Sequence, residues 1–310
     1  MTYTKNNKQN SPYHVEHILE TPLRIAYYSP NNLQSRNTQL ASRLVCISKH
    51  LWKYYHQLDT HLDTGTHDNF TEPDSLVNTE KEVLEKITEL PEDYRDELLN
   101  QHTQFKNIFI KRSLRERGVP GQLNEITLLN LPLLGVFFGS KGDLLAVPSL
   151  IALKHSGLHQ KAISYCSRYI RYFVRARAIV DDIKDWKKDL NHGLLTCVHV
   201  QCIKSLSCTH HDRTIHLCFN LKNDQEIIDK TMHQKVIPRL IDEIVRTHGE
   251  YIKEIDNDTS LSKNHDSIRA ILEPAFHYLE NLTEKYRLYY VNQLPTAINI
   301  DTRAKFCYSV

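Results

Sequence analysis

The sequence predicts an all-α protein, and three observations carry that expectation. Glycine and proline are scarce, 9 and 11 in 310 residues, so there are few of the residues that interrupt helices. Runs of β-branched residues are short. Apolar residues recur with helical spacing over long windows, as in Leu40, Leu44, Ile47, Leu51, Tyr54 and Leu58.

In chain order, residues 1–30 read as a polar leading segment that closes on a Ser29-Pro30-Asn31-Asn32 turn. A helix is expected over about 33–63, ending near Thr64-Gly65. A polar loop covers 66–74, and helices follow at about 75–89 and 91–117. The run 122–138 is apolar nearly all round, which predicts a buried central helix kinked at Pro132. A second apolar helix covers 143–156, and Gly157 punctuates it. A long helix occupies 159–190, with Ile163, Ile170, Phe173, Val174, Ile179 and Ile183 as its apolar positions. Further helices are expected at about 195–206, 224–257 and 265–291. The organisation is therefore a leading segment (1–30), one helical domain (31–292) and a tail (293–310).

Composition narrows the function classes. The chain is 40% hydrophobic and 25% charged, with a formal net charge of +2. That is an ordinary globular balance and offers no electrostatic footprint for nucleic acid. No stretch reaches the 18 or so apolar residues of a membrane span, and no apolar run near the start reads as a secretory signal. The seven cysteines (46, 166, 197, 202, 208, 218 and 307) have no regular framework spacing. Reduced thiols and a cytoplasmic setting are the expectation. The cluster Cys208 to Cys218 holds two Cys and three His but lacks a CxxC or HxxxH unit, so it reads as a loop between helices rather than a zinc site. Cys307 stands four from the end, the position of a prenylated cysteine. Tyr308 and Ser309 are not aliphatic, and the segment reads as a tail.

The chemistry concentrates in Arg175-Ala-Arg177-Ala-Ile-Val-Asp181-Asp182-Ile-Lys184-Asp185-Trp-Lys-Lys188-Asp189-Leu-Asn-His-Gly193. On a helix, Asp181, Asp185 and Asp189 fall at i, i+4 and i+8, one above another at about 6 Å intervals. Asp182 flanks the stripe. Each like-charge pair at this spacing costs a helix about 0.2–0.5 kcal/mol, so the stripe calls for a counter-charge. Lys184, Lys187 and Lys188 are expected to lie largely off it, whereas Arg177 sits one turn before Asp181. Hard oxygen ligands brought together suit Mg²⁺, which is commonly held by a few carboxylates plus substrate phosphates. Asp59 and Asp63 form a second pair at i, i+4 near the end of the first long helix.

Asp181-Asp-Ile-Lys-Asp-Trp-Lys-Lys-Asp189 resembles the second metal-binding motif of the class I isoprenoid synthases. The DDxxD pattern of trans-prenyltransferases matches Asp181, Asp182 and Asp185. The (N/D)DxxSxxKE pattern of terpene synthases matches Asp181, Asp182, Lys188 and, with Asp for Glu, Asp189. Asp59-Thr-His-Leu-Asp63 is similar to the first aspartate-rich motif, with Thr60 in place of its second Asp; the same form is found in head-to-head squalene and phytoene synthases. The Phe-Gln that precedes DDxxD in chain-elongating enzymes is replaced by Arg177-Ala178.

What the resemblance implies is an isoprenoid-synthase-like bundle around a central apolar cavity. A cluster of Mg²⁺ ions would lie between Asp181, Asp185 and Asp189 on one side and Asp59 and Asp63 on the other. Lys188, Arg177 and Arg287 would serve the diphosphate, with Asp182 in support. Apolar walls would come from 122–156, including Leu128, Leu131, Leu134, Phe137 and Phe138. The implied activity is ionisation of an allylic prenyl diphosphate to a carbocation, as in terpene synthases. A prenyltransferase, either chain-elongating or head-to-head, and a non-catalytic helical scaffold are the alternatives. The resemblance also leaves room for a homodimer.

Overall fold

A computed structural model describes residues 19–30, 35–64, 72–117, 125–127, 142–192, 194–206, 209–211, 214–216 and 225–293. Its helices are α1 (Thr21–Tyr28), α2 (Ser35–Thr64), α3 (Asp74–Thr88), α4 (Glu92–Arg117), α5 (Asp143–Lys154), α6 (Gln160–Asn191), α7 (Cys197–Leu206), α8 (Gln225–Thr231), α9 (Ile237–Asn257) and α10 (His265–Gln293). A π-helical turn, Met232–Val236, joins α8 to α9 without a break. The all-α expectation holds, with one small addition.

That addition is a three-stranded antiparallel sheet of three-residue strands, β1 (Glu125–Thr127), β2 (Thr209–His211) and β3 (Thr214–His216), in the order β1-β3-β2. Ile126 pairs with Ile215, and His210 pairs with Ile215 from the other side. Two expectations are corrected here. Residues 125–127 are strand rather than part of a central helix, because they find a ladder partner at 214–216, far along the chain, that local periodicity cannot reveal. The Cys208–Cys218 loop is largely a pair of strands. The rest of the expected 122–138 helix, with Pro132, Leu128, Leu131, Leu134, Phe137 and Phe138, lies outside the described residues, as do Cys208 and Cys218.

The leading segment also needs correcting. Pro22 starts α1 near its N-terminus, where a missing N–H costs nothing. Leu19 and Ile25 are buried, and α1 packs on α2, α5 and α10. Arg24 clamps it there, donating to the Ala270 carbonyl and pairing with Glu273 at 3.0 Å. An eight-residue helix with a single apolar stripe was too short to stand out by period.

Helix α5 is the centre of the bundle. Leu144 through Ser149 and Ile151 through Leu153 are all buried, and α1, α2, α4 and α6 pack around it. A helix apolar on every side has no solvent face and must sit inside. Its partner α6 is the longest element, 32 residues, and returns antiparallel after a short link. At the start of α5, Gly142 lies so close to α6 that a Cβ would come within 2.6 Å of Val174 Cγ1. Beside it Asp143, nearly buried, accepts from Arg175 at both oxygens, Nε to Oδ1 at 3.0 Å and Nη2 to Oδ2 at 2.7 Å. This bidentate pair fixes the register of the two helices.

Side-chain contacts set the directions of the rest. Leu40 and Ala41 of α2 line a recess with Ala152, His155 and Ser156, so α2 begins where α5 ends and runs antiparallel to it. Tyr94 bonds His155 at 3.1 Å and Lys154 bonds Glu97, so α4 likewise opposes α5. Tyr169 meets Phe276 and Phe173 meets Tyr278, which makes α10 parallel to α6. Tyr172 donates to the Ile244 carbonyl and Tyr165 to that of Tyr251, so α9 runs the other way. Helices α2, α4, α6 and α10 therefore all finish at the end of the bundle where α5 begins.

Gly142→Ala should lower stability by about 1–3 kcal/mol through overpacking against Val174, and Val174→Ala in the same chain should recover part of that loss. Denaturant melts of the three variants decide it; an unperturbed Gly142→Ala protein would contradict the close α5–α6 approach.

Candidate functional site

The residues singled out from the sequence come from helices that share one end. Asp59 and Asp63 lie in the last turns of α2, the Asp181–Asp189 stripe in the last turns of α6, and Arg287 in the last third of α10. Since these three helices are parallel, all of these positions fall at the end where α5 starts. Helix α5 stands between α2 and α6, so the two acidic helices flank it.

Each residue has its own environment. Asp181 is half-exposed and engaged twice, by Lys184 Nζ at 3.2 Å and by Arg177 Nη2 at 3.5 Å. Lys184 was expected off the stripe, but its flexible stem lets the ammonium at i+3 swing back to Asp181. Asp182 and Asp189 are half-buried and Asp185 and Lys188 are exposed. Asp59 is half-buried on α2. The side chains of Asp63 and Arg287 lie outside what is described. Among the described residues no three acidic, His or Cys side chains converge as a ready-made metal site.

The face opposite the stripe is what holds it in place. Ile183 and Trp186 are buried in a second hydrophobic cluster with α7, α8, the π turn and the start of α9. His199 of α7 donates from Nε2 to the Trp186 carbonyl at 2.7 Å, while its Nδ1 accepts from the Thr196 backbone N–H at 3.1 Å. The π turn carries His233 against the Trp186 indole, with ring centroids 6.0 Å apart. Lys187 bonds Asp229 of α8 at 2.8 Å. The helix then closes with Leu194 N–H reaching back to the Asp189 carbonyl at 2.9 Å, the long bond of a Schellman-type ending.

Arg177 is the unusual group. It is only 5% exposed, its guanidinium carbon sits 5.2 Å from the centre of the Tyr278 ring, and its Nη1 is buried with no hydrogen-bond partner. An unsatisfied buried donor costs about 1–3 kcal/mol, more when charged, so such a group is worth an explanation. Sequence reading picked out Arg177 from its helical position. It missed Tyr278, Asp143, His199 and His233, whose roles depend on contacts between distant segments.

Shallow surface recesses lie elsewhere, one between α1, α2 and the end of α5, another between α7 and the π turn with α9. Neither is lined by the stripe or by Asp59. Cys46, Cys166 and Cys202 are free thiols, and burial pushes Cys166 and Cys202 up to about 12, which keeps them protonated and unreactive. Among the described residues no helix is long and apolar enough to cross a membrane. No family model, curated protein or solved structure matches the chain.

Burial pushes His199 down to about 4, against a partial upward pull from its bond to the Trp186 carbonyl. An unfolded histidine titrates near ~6.5. The folded state therefore favours neutral His199: its contribution is full above about pH 6.5 and is lost as pH falls toward 4, about 3 kcal/mol over the window. Thermal melts from pH 7.5 to 4.5 should show a shallower pH slope in His199→Gln than in wild type; equal slopes would show that His199 does not couple to folding.

Proposed function

We propose that this chain is a Mg²⁺-dependent enzyme of the class I terpene-synthase kind, acting on an allylic prenyl diphosphate. The observation that carries the reading is the shared direction of α2, α6 and α10, which brings the positions of Asp59, Asp63, Asp181, Asp185, Asp189 and Arg287 to one end of the bundle. The motif resemblance implies two acidic helix ends facing each other around a central apolar cavity.

The donor set suits the ion by chemistry. It is all carboxylate oxygen and partly open to solvent, and Mg²⁺ takes a few carboxylates and completes its shell with water and phosphate oxygens. Asp181, Asp185 and Asp189 would hold it, with Asp59 and Asp63 as the facing set and Asp182 in support. Bound there, Mg²⁺ supplies Lewis-acid stabilisation of the charge that develops on a departing diphosphate. The chain's own part is to bind and orient. Lys188 and Arg177 lie on the same helix and would receive diphosphate oxygens, since a guanidinium fork matches phosphate geometry.

A carbocation formed by ionisation would react with water, so the hydrocarbon must sit in a dry, apolar place with aromatic faces near it. The Phe173–Tyr278 pair, ring centroids 5.5 Å apart, lies one helical turn from Arg177 and would supply such faces. Chain elongation or head-to-head condensation would use the same acidic helix ends with a second substrate. A different reading, a helical scaffold without catalysis, is favoured by the exposure of Asp185 and by the lack of three converging ligands among the described residues.

Diphosphate release should be measured from geranyl, farnesyl and geranylgeranyl diphosphates, with and without Mg²⁺ and isopentenyl diphosphate, and the products identified by mass. Metal-dependent release is expected, reduced by more than about 100-fold in Asp181→Ala/Asp185→Ala, since even supporting groups around a metal contribute 10–100-fold. Products separate cyclisation from condensation. No release under any condition would favour the scaffold.

A further inference from the structure

A proline inside a helix leaves one carbonyl without its N–H, and α10 carries such a residue, Pro274, well inside it. The carbonyl that an N–H at 274 would have met is that of Ala270, four residues back. Arg24 of α1 meets it instead, donating from Nε at 3.1 Å and also from Nη2. The same Nη2 pairs with Glu273 at 3.0 Å, and the Tyr28 ring lies 5.2 Å from the guanidinium carbon. A side chain 246 residues away in the sequence thus supplies the donor that the proline removed.

The two partners in this contact are unequally anchored. Beyond Pro274, α10 packs on α6 through Phe276 against Tyr169 and Tyr278 against Phe173 and Arg177. Helix α1 is lightly seated: of its residues only Thr21, Pro22 and Ile25 are buried. A recess remains beneath it, between Ile25, Ala26 and Ser29 on one side and Leu40, Ala41 and Ala152 on the other. Its Tyr27 is 71% exposed. Segments with few buried apolar contacts open at the low end of the free-energy range.

We propose that α1 is a latch on a hinge in α10. With Arg24 on the Ala270 carbonyl, α10 is held continuous through Pro274. With α1 detached, that carbonyl has no donor and residues 275–293 swing about the proline, the point where a helix bends most readily. Opening lifts Tyr278 from Phe173 and Arg177 and loosens the end of the bundle where α6 finishes. The device stands apart from the chemistry proposed above and does not depend on it.

Hydrogen exchange of the full chain, read by mass spectrometry on peptides of α1 and α10, tests the latch. A hydrogen bond from a charged donor shifts an equilibrium by a factor of about 10 or more. Arg24→Met should therefore speed exchange across 275–282 at least ~10-fold. Glu273→Gln keeps the bonds to the carbonyl and should change that exchange far less, because exposed ion pairs are weak. Pro274→Ala restores an N–H for the Ala270 carbonyl: exchange across 275–282 should slow, and Arg24→Met added to it should no longer matter there. Wild type alone supplies a further check, which holds even if the Arg24 variant does not fold. Since the hinge opens only with the latch off, 275–282 should never exchange faster than the bonded amides of α1. The proposal is overturned if Arg24→Met leaves 275–282 unchanged, if Glu273→Gln has as large an effect, or if the Arg24→Met effect persists alongside Pro274→Ala. It is overturned equally if 275–282 exchanges faster than α1 in wild type, or if Pro274→Ala alone does not slow it.

Discussion

Helix α6 belongs to two hydrophobic cores at once, and most of the architecture follows from that. From Ala162 to Val180 its apolar face is buried against α5, α9 and α10; from Ile183 to Trp186 it is buried against α7, the π turn and the start of α9. Ile179 touches both. A helix of 32 residues spans about 48 Å, longer than one core of this size can cover. The change of partners along its length turns the buried face from one cluster to the other. The Asp143–Arg175 pair secures one cluster and the His199–Trp186 bond the other. The acidic stripe lies beyond both points of attachment or on the face they leave open.

That arrangement explains how three like charges are tolerated at i, i+4 and i+8. Repulsion along the stripe is a matter of tenths of a kcal/mol per pair, small against the burial of Ile183 and Trp186 on the opposite side. Asp181 is also neutralised from two directions, by Lys184 from solvent and by Arg177 from the core. The Asp181 carboxylate is therefore balanced by side chains of its own helix. A buried arginine with an unpartnered edge is costly.

Much of this was readable from residues alone. The long helices were visible because an amphipathic or wholly apolar pattern over 15 or more residues has a distinct period, and their ends fell within a few residues of Gly157 and Gly193 or of polar loops. The acidic stripe was visible for the same reason, and so was the placement of Arg177 one turn below it. What escaped was short or non-local. Helix α1 has too few turns to show a period. The strands β1, β2 and β3 are three residues each and exist because they pair with one another. The π turn is five residues long and sets Met232 and Val236 in the second cluster.

By itself the sequence determined the helical class, the extent of α2, α4, α6 and α10 and of the continuous run from α8 through the π turn to α9 to within a few residues, and the stacking of Asp181, Asp185 and Asp189 on one face, because all three follow from the geometry of a single helix. Only the tertiary structure decided that α2, α6 and α10 run the same way, that α5 separates the two acidic helices, that Asp181 is held by both Arg177 and Lys184, and that Arg177 is buried under Tyr278 with a donor to spare. Helix direction, burial and charge pairing are properties of packed surfaces, set by which apolar faces meet, and no local spacing encodes that choice.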